Sequence, residues 1–497
     1  MLLYTCILLL AILFYLKWYK VKRYWADRGV TYEEPHPVLG SLTFMQKINI
    51  ATWIRDMYDR YPKVPYIGIW LFWRPALLIN STDISRRILV KDFDAFRNRL
   101  VGTNIENSDP IGGLNIFTLN DPMWSSIRRR LSPLFTSSKL KSLHQLYFNK
   151  AKELVQRIKN DLKINKPLEL RNLYADYTTD IIGIASFGIQ SDTTLTRDSP
   201  LRAITREFQQ YSILRGLQWC SIFFLPEIAS YLRFVLFPKS SVRVLRSIFK
   251  HVVAQRGGYN DKAEVNDLLD ALRLIKYEAD KNNEVMDEDT MIAQAAIFLQ
   301  GGFDTSASAL TFLTYELAYN PEIQEKIYKE LSQAKQALGD KDLDARVFSE
   351  LVYFNCAIKE ILRKYPAMGW LDRIADRDYQ IDDKLTIAKG TNIYVNVMGM
   401  QHDSDHYPDP DKFNPDRFLP ENDDGTRPFM PFGAGPRICI GMRFAYHTIW
   451  YAASSVLLKY QILPIPGTKP TARCEIDHRG LFLTPGSGTY VKFVARQ

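Results

Sequence analysis

With 497 residues, 46% hydrophobic and 13% aromatic, the chain has apolar material for a large core, and its ordinary 24% charged content excludes a disordered or low-complexity protein. The formal charge of +9 comes from scattered Lys and Arg with a cluster after the N-terminus, which fits an anionic membrane and an acidic protein partner better than nucleic acid. Five cysteines, Cys6, Cys220, Cys356, Cys439 and Cys474, are odd in number and far apart, so neither a disulfide framework nor a zinc site is indicated and the soluble part is expected in the cytosol.

Residues 1–16 are almost wholly apolar, and Lys17, Lys20, Lys22 and Arg23 follow among Trp18, Tyr19, Tyr24 and Trp25. This is the pattern of a membrane segment with basic and aromatic flanks. A cleaved signal peptide would carry basic residues before the apolar run and small residues after it, and the chain has neither. The positive-inside rule places the N-terminus across the membrane and the remainder in the cytosol. We divide the chain into an anchor at 1–22, a basic, proline-containing hinge at 23–45 and a globular domain at 46–497. Pro35 and Pro37 stiffen the hinge.

From Tyr66 to Asn80, alternating and β-branched apolar residues broken at Arg74-Pro75 predict a hairpin, and Pro110 to Leu119 reads as an irregular loop. Trp124 and Arg128 stand at i and i+4 on one helix face, an arrangement that alone would be a surface cation–π pair. Leu201 to Ser240 is apolar and aromatic, and from its composition reads as core helix. Met291 to Tyr319 has the periodicity of a long buried helix, with Gly301-Gly302-Phe303-Asp304-Thr305 in its middle. Two interior glycines cost about 1 kcal/mol each relative to alanine, which predicts a bulged helix with a functional reason for the defect. For Thr305 the plain alternative is a hydroxyl bonded back to its own helix.

Leu351 to Tyr365 reads as an amphipathic helix stopped by Pro366, with Glu360 and Arg363 on one face. Seven prolines between Pro408 and Pro436 make a long irregular passage into Phe429-Met-Pro-Phe-Gly-Ala-Gly-Pro-Arg-Ile-Cys-Ile-Gly441. There Gly433 and Gly435 can take positive φ, and an apolar helix is expected from Met442 to Leu458. A sulfur at a helix N-terminus is biased toward thiolate, so Cys439 is either a metal ligand or an inert buried thiol. Gly480 to Thr484, followed by Pro485 to Phe493, reads as a hairpin.

Phe432-x-x-Gly435-x-Arg437-x-Cys439-x-Gly441 resembles the haem-binding signature of the cytochromes P-450, the haem-thiolate monooxygenases. Trp124-x-x-x-Arg128, Gly-Gly-x-Asp304-Thr305 and Glu360-x-x-Arg363 precede it in that family's order. The resemblance runs from the anchor almost to Gln497 and is strongest to microsomal members of the insect detoxification type. It implies one mainly α (α+β) fold with small β-sheets behind an N-terminal transmembrane helix, holding haem b, iron protoporphyrin IX. It implies Cys439 as the axial thiolate, Phe432 packed beside it, and Trp124, Arg128, Arg373 and Arg437 as contacts of the haem propionates. Asp304 would relay protons and Thr305 would hydrogen-bond bound oxygen, while Glu360, Arg363 and Arg417 would form a buried structural network. Phe298, Phe482 and Leu483 are the candidate substrate contacts, and the resemblance implies that the stretch from Leu201 to Ser240 forms the pocket lid and a surface that dips into the membrane.

The implied activity is insertion of one atom of O2 into a lipophilic small molecule. Electrons come from NADPH through its cytochrome reductase, with cytochrome b5 a further candidate partner, on the cytosolic side of the endoplasmic reticulum. Arg129, Arg130 and Lys139 would add a basic face for an acidic donor. A reductase-independent haem-thiolate isomerase or dehydratase is the alternative, with a non-enzymatic haem-binding protein as a third reading. The presence of Asp304 and Thr305 argues against the isomerase.

Overall fold

The computed structural model describes residues 2–496 apart from 46, 102–107, 165–167, 211, 260–263, 285, 466–473 and 487. The first helix, α1 (Leu2–Lys22), is apolar on all sides with Lys20 and Lys22 in its last turn. Nearly all its large side chains are exposed, as suits a segment whose solvent is lipid. Its lower half packs Phe14 and Trp18 on Trp73, ring centroids 4.8 and 5.9 Å away. Trp73 sits in the turn between β1 (Tyr66–Leu71) and β2 (Arg74–Ile79), the predicted hairpin. Between α1 and this hairpin lies α2 (Ile50–Arg60), capped by Asn49.

Pro110 to Leu119 departs from a plain loop, because Pro110–Gly113 closes one helical turn, α3, capped by the Asp109 carboxylate. Irregular backbone follows, from which Asn115 and Thr118 donate back to the carbonyls of Ile111, Gly112 and Gly113 in the α3 turn. Then come α4 (Met123–Leu131) and the buried α5 (Leu170–Phe187). The apolar stretch from 201 to 240 resolves into α6 (Pro200–Phe208), α7 (Ile213–Phe224) and α8 (Pro226–Tyr231). Trp219, Ile222, Phe223 and Phe224 turn inward, whereas Ile213, Leu214 and Leu217 of α7 and Ile228 and Tyr231 of α8 face outward. One side of the segment is therefore core, and the other presents apolar side chains outward.

The central helix α9 (Glu288–Tyr319) is capped by Asp287, with Glu288 and Asp289 in its first turn where the dipole favours acid. It packs along α5 and remains α-helical throughout, so the expected bulge is absent. The two glycines act separately. A Cβ at Gly302 would lie 2.5 Å from Ile182, so that glycine admits α5, whereas a Cβ at Gly301 would meet nothing within 4 Å.

Helix α10 (Val352–Lys364) carries the predicted ion-pair network. Arg363 makes two hydrogen bonds to Glu360, at 2.7 and 2.9 Å, and donates two further protons to the carbonyls of Gln401 and Pro410. Arg417 approaches the same carboxylate at 3.4 Å. Strands β3 (Leu371–Ile374) and β4 (Asn392–Val395) complete a four-stranded sheet of order β1-β2-β4-β3, parallel only between β2 and β4. The last helix, α11 (Met442–Lys459), leads into β5 (Tyr460–Leu463), which pairs antiparallel with β6 (Lys492–Ala495).

The expected hairpin over 480–493 is shifted. Ile476 instead bridges Pro485, and the flanking bonds run from Asp477 N to Thr484 O at 3.0 Å and from Gly486 N to Glu475 O at 2.7 Å. The turn thus falls within 478–483, while residues from 492 onward go to β5, and Ser487 lies outside the described residues. Apolar alternation located a paired segment, but the stronger partner for Phe493 was the distant Ile462.

Candidate active site

One cavity is lined by Cys439, Phe432 and Arg437 of the cysteine loop, Trp124 and Arg128 of α4, Phe298, Asp304 and Thr305 of α9, Arg373 of β3, and Phe482 and Leu483 of the C-terminal turn. Glu360, Arg363 and Arg417 lie behind this wall and do not line the cavity. The sequence-predicted cofactor, catalytic and substrate candidates are therefore brought together, and the network candidates form a separate brace.

The cysteine loop is shaped by close approach. Gly433 and Gly435 have φ of 79° and 71°, and a Cβ at Gly435 would come within 1.9 Å of the Leu89 carbonyl oxygen. Only glycine fits there. Pro436 starts a short 3-10 turn, the Ile438 amide bonds Gly435 O at 3.0 Å, and the Cys439 amide bonds Phe432 O at 2.9 Å. Arg128 donates to the Ile438 carbonyl at 2.8 Å from the other side. The Cys439 thiol is exposed only to the cavity it lines. Loss of hydration pushes its pKa up, opposed by the Gly441 amide and by the charges of Arg128 and Arg99.

Four guanidinium groups, Arg99, Arg128, Arg373 and Arg437, share this cavity wall. Arg437 donates to the carbonyls of Arg97 and Leu119 at 2.6 and 3.1 Å and lies over the Trp124 ring, 4.1 Å from its centroid. Burial, then the charges of Arg99 and Arg373, hold its pKa down to about 8. Arg373 is held down to about 9 by burial and by Arg99, and its Nε is buried without a hydrogen-bond partner among the described residues. Arg99 and Arg128 are lowered chiefly by burial. Asp372 is 3.9 Å from Arg99.

Such crowding of buried cations costs free energy unless anionic charge joins them. A group carrying two carboxylates, such as a haem, would fit this donor set, with these guanidiniums to hold the carboxylates. Arg99 escaped the sequence reading because it stands in Arg97-Asn98-Arg99, a loop with no motif and no periodicity.

On the α9 side, Thr305 donates its hydroxyl to Gly301 O at 2.7 Å, the plain alternative weighed from sequence, while still lining the cavity. Asp304 is buried and accepts a hydrogen bond from Gln209 Nε2 at 3.3 Å. Gln209 in turn accepts from Arg202 at 3.1 Å, and Arg202 pairs with Asp176. These partners were also missed, since α6 and α9 are joined only by folding. Phe482 meets Phe223 of α7 edge-on at 6.4 Å, and Phe298 stacks on Phe135 at 5.4 Å. This part of the cavity wall is thereby aromatic and apolar.

The sequence pattern of the family described as Cytochrome P450 matches residues 31–493. Cytochrome P450 6k1 of Blattella germanica is 30% identical over 95% of this chain and 93% of its own length. Cytochrome P450 6j1 of the same species is 32% identical over 90% and 88%. Probable cytochrome P450 6d5 of Drosophila melanogaster is 32% identical over 96% of each chain.

Proposed function

The chain belongs to the cytochrome P450 family of haem-thiolate monooxygenases, of insect type, and we propose that it oxidises a lipophilic small molecule with electrons from NADPH delivered by a membrane-bound reductase. The observation that carries the assignment of residues is the convergence of a cavity-facing thiol, three buried guanidiniums and the half-buried guanidinium of Arg128 on one cavity roofed by α9. Haem b, when bound, supplies the redox and oxygen chemistry. Cys439 would hold the iron as thiolate, with Phe432 packed beside it and the loop rigid through Gly435. Arg128, Arg373 and Arg437, joined by Arg99, would bind the two propionates, and Trp124 supports Arg437 through its ring.

Asp304 and Thr305 are assigned to proton movement. Asp304 brings a carboxylate to the cavity and is oriented by Gln209, while the Thr305 hydroxyl can exchange its bond to Gly301 O for one directed into the cavity. Phe298, Phe482 and Leu483 would exclude water and shape the substrate side. The anchor at 1–22, hinge at 23–45 and catalytic domain at 46–497 remain our division. One described helix is long and apolar enough to cross a membrane, which supports attachment at the endoplasmic reticulum with the catalytic domain cytosolic. The outward apolar side chains of α7 and α8 would form a second contact with the bilayer. Cytochrome b5 is a second candidate donor.

The assignment is tested first by reduced protein under carbon monoxide, which should show the strongly red-shifted Soret band of thiolate ligation. A histidine-type spectrum would sink the role of Cys439. Turnover of terpenoids, fatty acids, steroids and insecticides is then measured with NADPH and reductase. Product formed without either would favour the isomerase or dehydratase reading.

A further inference from the structure

The Asn49 side chain is 2% exposed and has two distinct jobs. Its Oδ1 accepts from the Ala51 amide at 2.9 Å, capping α2. Its Nδ2 faces three carbonyl oxygens more than four hundred residues away in sequence: Asp477 at 3.2 Å, Gly480 at 2.8 Å and Phe482 at 3.1 Å. Helix capping requires only the oxygen, and Ser or Asp would serve it as well. The donor end has no such substitutes. Three inward carbonyls repel one another and are shielded from water, so they need a neutral group with two N–H protons, presented by a side chain whose other end accepts.

The segment so held is the turn whose base is closed by the bonds of Asp477 to Thr484 and Glu475 to Gly486. Leu481, Phe482 and Leu483 pass from it into the cavity wall. Leu481, with Trp219, also lines a smaller pocket beside the main cavity, so the turn is the partition between the two. Moving the three carbonyls would move the Phe482 ring off Phe223.

We propose that Asn49 is a specificity-determining positioning residue, its amide fixing the 477–483 turn and thereby the size of ligand the cavity accepts. This rests on the haem-monooxygenase reading of the cavity. Asn49 itself does not line the cavity, so its effect reaches the ligand through Phe482.

The test uses full-length, haem-loaded protein with two iron-ligating probes, imidazole and the bulky clotrimazole, each followed by its Soret shift. Asn49→Ser keeps a capping oxygen and removes the amide, whereas Asn49→Asp keeps the cap and aims an anion at three carbonyls. Loss of these hydrogen bonds is expected to weaken clotrimazole about tenfold in Asn49→Ser, and further in Asn49→Asp, with imidazole changed less than about twofold. Hydrogen exchange over 474–486 should quicken in both variants, and the change in clotrimazole-to-imidazole ratio should vanish in a Phe482→Ala background. An unchanged ratio, equal losses for both probes, unaltered exchange, or failure of Asn49→Ser to fold would each overturn the proposal. Failure of the wild-type protein to respond to imidazole would instead overturn the haem reading, and the exchange measurement would still report on the turn.

Discussion

Thr305 illustrates how one side chain can satisfy a structural and a chemical role in turn. Its 2.7 Å bond to Gly301 O is a neutral hydrogen bond, worth about 0.5–1.5 kcal/mol net. That is small enough to be exchanged for a bond into the cavity, and Gly301 leaves the space beside it open. Thr305→Val preserves shape and removes only the hydroxyl. It is expected to leave the carbon monoxide spectrum intact while product per NADPH falls and hydrogen peroxide rises, and equal coupling in both proteins would confine Thr305 to its helix. Arg99 makes a different prediction, with opposite signs in the two forms of the protein. Without haem it is one of four crowded cations, held down by its own burial and in turn lowering Arg373 and Arg437. With haem bound as proposed, it would meet a carboxylate. Because the burial of Arg99 and its repulsion of Arg373 and Arg437 outweigh the attraction of Asp372 at 3.9 Å, Arg99→Leu should not destabilise the apoprotein, yet haem loss to apomyoglobin should accelerate about tenfold or more, since a charge-assisted hydrogen bond contributes about 1.5–3 kcal/mol.

Among the elements, α10 shows what a buried ion pair does when every guanidinium nitrogen is hydrogen-bonded. Glu360 and Arg363 are both fully buried, and the guanidinium bonds Glu360, the Gln401 carbonyl and the Pro410 carbonyl, the last in the passage into the cysteine loop. Glu360→Gln would leave Arg363 and Arg417 without their shared counter-charge, at a cost of about 3–5 kcal/mol. Chemical unfolding should register that loss, with a smaller one for Arg417→Met, whose contact to Glu360 is 3.4 Å. The α10 pair was legible in the sequence because both residues sit on one helix three positions apart. The same holds for Trp124 and Arg128, for Asp304 and Thr305, and for the cysteine loop, where local spacing already fixes the relative placement. Arg99, Gln209 and Asn49 were not legible, since each acquires its partner only when distant segments close. The shifted C-terminal hairpin has the same cause: Phe493 could pair locally or with Ile462, and only tertiary packing chooses. The unbroken α9 differs in kind, because two glycines were read as one defect although they face different neighbours.

At the scale of the whole molecule, the anchor and the apolar rim of the cavity are mechanically joined. Phe14 and Trp18 of α1 rest on Trp73, and the next residue, Arg74, pairs with Glu227 of α8 at 2.5 Å. Through the β1–β2 turn, the membrane segment is thus tied to the helices whose inner faces carry Trp219 and Phe223 into the cavity wall. On the outer faces, Leu214 is 60% and Leu217 44% exposed, beside Ile213 and within the same stretch as Tyr231. A rim this apolar is unfavourable in water and favourable against lipid. If it enters the bilayer, a protein lacking residues 1–22 should still sediment with phosphatidylcholine vesicles. Burying each leucine in lipid contributes about 1.5–3 kcal/mol, so Leu214→Lys with Leu217→Lys in the truncated protein should lower the partition coefficient by about 10²-fold or more. The same pair of substitutions in the full-length chain should leave it membrane-bound, because α1 alone suffices to span, while weakening uptake of a lipid-dissolved ligand relative to one supplied in water. Equal sedimentation of the truncated protein with and without the lysines would mean that the exposed leucines of α7 meet water, and that α1 is the sole attachment.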